Sequence, residues 1–260
     1  MRKNREILKW KNNMRALAMV ICLALTMQFA SGCGKTIEET FDFAAVPAYD
    51  GKAYVAVNDN VPFFTEEELS SASYETYGEL DPLGRCTVCV ASVGQDLMPA
   101  EERGNIGAVK PTGWHTVKYD FVDGKYLYNR CHLIGYQLTG ENANEKNLIT
   151  GTRYLNIEGM LPFENMVADY VKETDQHVMY RVTPVFEGDN LLAAGVLMEG
   201  KSVEDNGEGV LFCVFAYNMQ PGVSIDYATG ESSADGTIVN DTSAQEETKQ
   251  FTSTLSLIHI

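Results

Sequence analysis

The stretch Tyr128-Asn129-Arg130-Cys131-His132-Leu133-Ile134-Gly135 reads as a strand that ends on an imidazole and runs into a loop. Upstream, His115 to Phe121 alternates with period two, and Asp123-Gly124 supplies a hairpin turn into Tyr126 to Arg130. The expectation is a strand-turn-strand unit delivering Cys131 and His132 to a strand end. Downstream comes a polar loop from Thr139 to Lys146. Met160, Phe163, Val167, Tyr170 and Val171 then recur at helical spacing, with Pro162 suited to a first turn.

Further out, Cys86 to Val93 is strand-like. Val178 to Phe186 and Leu191 to Met198 are strand candidates joined by Glu187-Gly188-Asp189-Asn190, and a last one runs from Val210 to Tyr217. Strands on both sides of one helix predict an α+β domain with a mainly antiparallel sheet. There are no internal repeats.

Residues 1–33 stand apart. Arg2, Lys3, Arg5, Lys9, Lys11 and Arg15 precede an apolar run from Ala16 to Met27, and small residues lead to Ala30-Ser31-Gly32-Cys33. That is the layout of a signal peptide. Its ending resembles a bacterial lipobox, which implies lipidation at Cys33. An ordinary signal peptide or an uncleaved anchor are the other readings, and all three put the globular part outside the cytoplasm. Residues 34–76 read as an acidic tether, 77–230 as the domain, and 231–260 as a Ser/Thr/Asp/Glu-rich disordered tail. The last six residues, Leu255 to Ile260, match one reading frame of a transposon end used in sequencing libraries, so 255–260 are read as adapter sequence.

The formal charge is −16 from 20 basic and 36 acidic residues. Six of the basic and one of the acidic residues lie in 1–33, leaving −21. Bulk attraction to a polyanion is thereby excluded. Position matters more: ten of the 14 remaining basic residues fall between Arg85 and Arg181, where 12 acids leave only −2. An anionic substrate belongs to that middle stretch. Cys86, Cys89, Cys131 and Cys213 permit one or two disulfides in an exported protein. A zinc site from Cys86, Cys89, Cys131 and His132 lacks a second Cys-x-x-Cys.

After the opening stretch come Asn147-Leu148-Ile149-Thr150-Gly151-Thr152-Arg153, Asn156, and Glu164 eight residues later. In this order they resemble the DNA/RNA non-specific endonuclease family, whose ββα-metal site is built around Asp-Arg-Gly-His. The resemblance spans roughly 77–230 and looks closest to secreted nucleases of Gram-positive bacteria. It implies His132 as general base, Asn156 as a ligand of Mg²⁺ (or Mn²⁺), Glu164 as a group steadying that ion's water, and Arg130 at the scissile phosphate.

The residue chemistry agrees independently. Phosphodiester cleavage needs a base to deprotonate water, a cation at the phosphate and stabilisation of the leaving oxygen. An imidazole titrates near neutrality. A single amide suits an ion that keeps most of its waters. Taken alone, His132 would read as a structural histidine, Asn156 as a helix-start residue and Glu164 as an exposed helix acid.

Arg153 and Arg85 are further candidates for gripping phosphate, against structural ion pairs at both positions. Asn147 reads as a loop stabiliser. Lys118, Lys125 and Lys146 are groove-lining candidates. The motif's Asp is Asn129 here and its Gly is Cys131; the first change removes a carboxylate beside the site, and Cys131 reads as a small filler or a disulfide partner. His115 and His177 have no accompanying motif. Trp114 and the tyrosines read as core and sheet surface rather than as base-stacking platforms.

The resulting expectation is an exported, membrane-anchored nuclease acting on DNA and RNA with little sequence preference, and no protein partner is evident. The competing expectation is a non-catalytic surface lipoprotein that binds nucleic acid or another partner on the same fold.

Overall fold

The computed structural model describes residues 41–237. The signal segment, Cys33 and residues 238–260, including the adapter-like end, lie outside the described residues.

The strands are β1 (Tyr54–Ala56), β2 (Tyr74–Tyr77), β3 (Cys89–Val93), β4 (Tyr128–His132), β5 (Leu148–Thr152), β6 (Val178–Val185), β7 (Gly195–Ser202), β8 (Leu211–Tyr217), β9 (Val223–Ile225) and β10 (Ser232–Ala234). Among the described residues there are two α-helices, the single turn α1 (Tyr136–Thr139) and α2 (Leu161–Thr174). Six strands form one antiparallel sheet in the order β1-β8-β7-β6-β3-β2. Strands β4 and β5 form a separate antiparallel hairpin, as do β9 and β10.

The central strands carry the β-branched and aromatic runs seen in the sequence, such as Val178-Met179-Tyr180-Arg181-Val182. Helix α2 buries Phe163, Val167, Ala168 and Val171, a stripe at helical spacing. Phe163 meets Phe212 of β8 with ring centroids 4.8 Å apart. The main core lies between this helix, the β4–β5 hairpin and the six-stranded sheet, with Cys131, Leu133, Ile149, Tyr180 and Met198 all inside it. Across β6 and β7, Arg181 faces the buried Glu199 and donates through Nε and Nη2 at 2.6 and 2.8 Å.

The fold departs from the sequence expectation in three places. Residues 115–121 make no strand; they contribute a single bridge, Lys118 to Tyr126, around the turn at Gly124 and Lys125. The true partner of β4 is β5, in the register Arg130↔Thr150 and His132↔Leu148. Residues 41–76, expected as a tether, supply β1 and β2 to the sheet, where they pair with β8 and β3. Residues 232–234, expected in a disordered tail, pair with β9: Gly230, at φ +85°, turns the chain back and Asp226 N–H donates to the Glu231 carbonyl.

Candidate active site

Strand β4 ends at His132, and the chain then turns through Leu133–Gly135 into α1. Fully buried Asn147 holds that turn: its Oδ1 accepts from Ile134 N–H at 2.8 Å and its Nδ2 donates to the Ile134 carbonyl at 2.9 Å. This is the loop-stabilising part read for it in the sequence. On the other side, residues Leu155–Met160 form a π-helical segment leading into α2. Such wide turns re-aim side chains and recur at functional sites. Asn156 sits in this one, and Glu164 follows two turns on in α2. His132, Arg130, Arg153, Asn156 and Glu164 thus line one cleft of about 600 Å³.

His132 is only 6% exposed. Its Nε2 lies 2.7 Å from the Asn142 carbonyl oxygen, so Nε2 carries the proton and donates. Nδ1 is left with its lone pair, and Arg103 Nη2 donates to it at 3.1 Å. Both contacts select the same neutral tautomer. Burial pushes the imidazole down to about 4, and the Arg103 charge adds to this, while the bond to Asn142 works against it. The ring is a neutral acceptor at physiological pH.

Asn156 Nδ2 donates to Asn129 Oδ1 at 3.3 Å. That fixes the amide's orientation, and its Oδ1 takes no hydrogen bond from the described residues. The Asp-to-Asn departure at 129 therefore costs a charge while the accepting oxygen survives in the amide, which also receives Arg153 Nη1 at 3.4 Å. Glu164 stands against Gly135, where a Cβ would come within 2.6 Å of its Oε2; only glycine lets the loop approach so closely. Burial pushes the Glu164 carboxyl up to about 7, against the opposing pull of Arg103.

The arginines divide sharply. Arg130 donates through Nε to the Val109 carbonyl and through Nη2 to Gly107 O at 3.0 Å, and its guanidinium lies 4.0 Å from the centroid of the Trp114 ring. It both lines the cleft and ties down the 107–109 loop. Arg153 also lines the cleft, but Nε and Nη2 are held by Asp123 at 2.9 and 2.7 Å. Arg85 is not brought to the cleft. It is engaged by Asp81 at 2.7 Å and by the Gly188 and Asn190 carbonyls, and it covers Phe186. At Arg85 the structure thus holds the ion pair that the sequence reading weighed against phosphate contact, together with the β6–β7 turn.

Sequence reasoning missed Arg103, the nearest cation to His132. It sits in an irregular, exposed loop with no periodicity or motif, and only its tertiary approach to the cleft reveals it. Trp114, read as core, packs against the buried Leu127, Tyr128, Leu192 and Val223, and it and Tyr126 also line the cleft. Of the lysines, Lys125 pairs with Asp120 and Lys146 with Glu79. Lys118 has no carboxylate partner among the described residues and lies over Tyr126, 4.4 Å from the ring centroid.

Cys86, Cys89, Cys131 and Cys213 are separate buried thiols. Cys86 Sγ donates to the Glu145 and Leu148 carbonyls, and Cys89 Sγ to that of Lys146. Cys131 fills the space beside Gly151, where a Cβ would overlap its sulfur. Among the described residues no group of three or more His, Cys, Asp or Glu is arranged to hold a metal.

This architecture is found in solved nucleases. NucA from Streptococcus agalactiae with magnesium bound superposes at a TM-score of 0.62 with 25% identity, over 69% of this chain and 86% of that one. The same protein without metal gives 0.64 with 24% identity, over 74% and 92%. The Sda1 nuclease with bound zinc gives 0.58 with 23% identity, over 70% and 97%. The fold is that of the ββα-metal nucleases, as expected from residues 128–164. The DNA/RNA non-specific endonuclease family model matches residues 66–204, and the chain belongs to that family. A curated deoxyribonuclease from Streptococcus dysgalactiae subsp. equisimilis is 32% identical over 111 residues, which are 40% of this chain; the match spans about a third (32%) of that relative's length.

Proposed function

We propose that the protein is an extracellular endonuclease that hydrolyses phosphodiester bonds of DNA, and of RNA, with little sequence preference, leaving 5′-phosphate ends. The observation that carries this reading is a neutral imidazole with its tautomer fixed by two contacts, opening through Nδ1 onto the cleft that Asn156 also lines. On this reading His132 Nδ1 takes the proton of the attacking water. Arg103 caps that nitrogen at rest; an arriving phosphate oxygen gives its guanidinium a stronger acceptor and releases the lone pair. Arg130 holds the 107–109 loop and leaves its positive charge at the cleft to oppose the charge that builds on phosphorus.

The donor set fits Mg²⁺ better than an ion demanding many protein ligands. Asn156 would hold it through the one amide oxygen that Asn129 leaves over, and Glu164 would steady it from further out. When bound, the ion supplies positive charge at the scissile phosphate and at the leaving oxygen. Contacts of this kind address phosphates, not base edges, which underlies the low sequence preference. Residues 1–33 and the lipobox-like Cys33 support export and anchoring at the outer membrane surface of the cell. No helix among the described residues is long and apolar enough to cross a membrane.

A plasmid-nicking assay tests the proposal. Wild-type protein should nick supercoiled DNA with Mg²⁺ and stop in EDTA, and His132→Ala should lose about 10²- to 10⁴-fold of the rate. Asn156→Ala should require far more Mg²⁺. Clean wild-type protein that does not cut in Mg²⁺ would sink the enzymatic reading.

A further inference from the structure

One wall of the cleft carries two aromatic rings, each associated with a cation. Trp114 lies against Arg130 and Tyr126 against Lys118. Tyr126 is 46% exposed, although its neighbours Leu127 and Tyr128 are 0% and 3% exposed. The fold therefore does not need this ring as core, and it stands at the cleft beside Thr116 and Asn129. Lys118 is exposed and has no carboxylate partner among the described residues. A half-exposed aromatic ring with a lysine ammonium over one face, beside the proposed phosphate site, has the makings of a nucleotide platform.

We infer that Tyr126, with Trp114 and Lys118, forms a subsite for an unpaired nucleobase flanking the scissile phosphate, and that the cleft accordingly favours single-stranded nucleic acid over closed duplex. The inference rests on the proposed nuclease reading of the same cleft and adds its substrate class. The physical reason is selective access. In a duplex each base is already stacked between its neighbours, so an aromatic wall beside the backbone gains nothing unless the base is first extruded. A single strand presents base faces without that penalty. Lys118 then meets the phosphate next along, while its stem keeps the Tyr126 ring in place.

The test uses a 20-nucleotide single strand and the same sequence as a closed duplex, cut by wild type, Tyr126→Ala and Tyr126→Phe. Wild type should prefer the single strand. Tyr126→Ala should raise KM for it by roughly five- to 150-fold, the range expected for one lost base stack, with kcat within about twofold and a clearly smaller loss on the duplex. Tyr126→Phe should behave as wild type. Binding is read separately without cleavage: a single strand carrying 2-aminopurine should be quenched by the His132→Ala protein, and not by His132→Ala/Tyr126→Ala. Equal losses on both substrates, no loss on either, a wild-type preference for duplex, or quenching that survives loss of the ring would each overturn the inference. Absence of cutting by wild type would count against the nuclease reading alone, since the quenching arm does not depend on turnover.

Discussion

Asn129 Oδ1 accepts the side-chain N–H of Asn156 at 3.3 Å, so one amide sets the orientation of the other in the floor of the cleft. The partner supplies an acceptor without a charge, and the amide oxygen of Asn156 is left over. Removing the acceptor in Asn129→Ala frees that amide to rotate. Groups that orient a ligand from behind typically cost 10- to 100-fold when lost. We expect the nicking rate at limiting Mg²⁺ to fall about tenfold and the half-saturating Mg²⁺ concentration to rise, while Asn129→Asp stays at or above wild type. A wild-type Mg²⁺ titration in Asn129→Ala would show that Asn129 does not orient Asn156.

The pH response follows from burial of His132. Its folded-state value, near 4, lies below the ordinary 6.5. Between those two values the unfolded chain binds the proton and the folded chain does not, so the folded state loses stability as pH falls from about 6.5 to 4. The same depression keeps the base neutral through that window. The acid limb of kcat/KM, which reports the free enzyme, should be centred well below 6.5. A limb centred at 6.5 would mean that the imidazole is solvated in the working enzyme.

Arg181 and Glu199 allow a fold effect to be separated from a site effect. Glu199 is 1% exposed and accepts two hydrogen bonds from Arg181 across the β6–β7 register, as well as one from Phe63 N–H. Truncating one partner of a buried pair strands the other, at a cost of about 3–5 kcal/mol. Glu199→Ala should lower Tm by roughly 10 °C and leave nicking at 25 °C near wild type, because the pair is not part of the cleft wall. Arg181→Met combined with Glu199→Ala should be more stable than Glu199→Ala alone. Calorimetry checks both; a double variant less stable than the single would argue that Arg181 matters instead through Glu68, to which Nη1 donates at 2.9 Å, and Phe64, whose ring centroid lies 4.6 Å from its guanidinium.

How much of this was legible in the sequence depends on whether a feature is local. The 128–135 strand end and the α2 stripe are read from spacing, because a strand end and a helix face are set by neighbours in the chain; Asn156 and Glu164 stood out only through the family resemblance. Pairings set by tertiary contact were not legible. Residues 115–121 alternate well but contribute a single bridge, and the distant Leu148–Thr152 takes the place beside β4. Strands β1 and β2 are three and four residues long in acidic surroundings, too short to carry a pattern until the sheet edges they complete are known. Arg85 and Arg103 show the same limit at the site. Both are arginines in turn-rich segments; the Asp81 partner of Arg85 lies four residues away, but only the fold brings Arg103 to His132.

The last prediction concerns the other motif departure, Cys131. Its sulfur occupies the space that the missing side chain of Gly151 leaves; the two are diagonal neighbours across the β4–β5 hairpin, Gly151 opposite Asn129 and Cys131 opposite Ile149. Gly151 has no left-handed φ to preserve, so a change there tests packing and little else. Gly151→Ala drives a methyl into the Cys131 sulfur and should cost about 1–3 kcal/mol. Cys131→Gly removes the sulfur and leaves a small void in the core, with a cost of similar sign. If each residue is sized to the other, the double variant should recover at least half of the summed loss, since the alanine methyl enters the vacated space. Urea unfolding of the four proteins measures this directly. Strict additivity would mean that Cys131 is held by the rest of the core and that Gly151 is glycine for another reason. The thiol itself should stay unlabelled by DTNB in the native protein, because full burial pushes its pKa up and denies the reagent access.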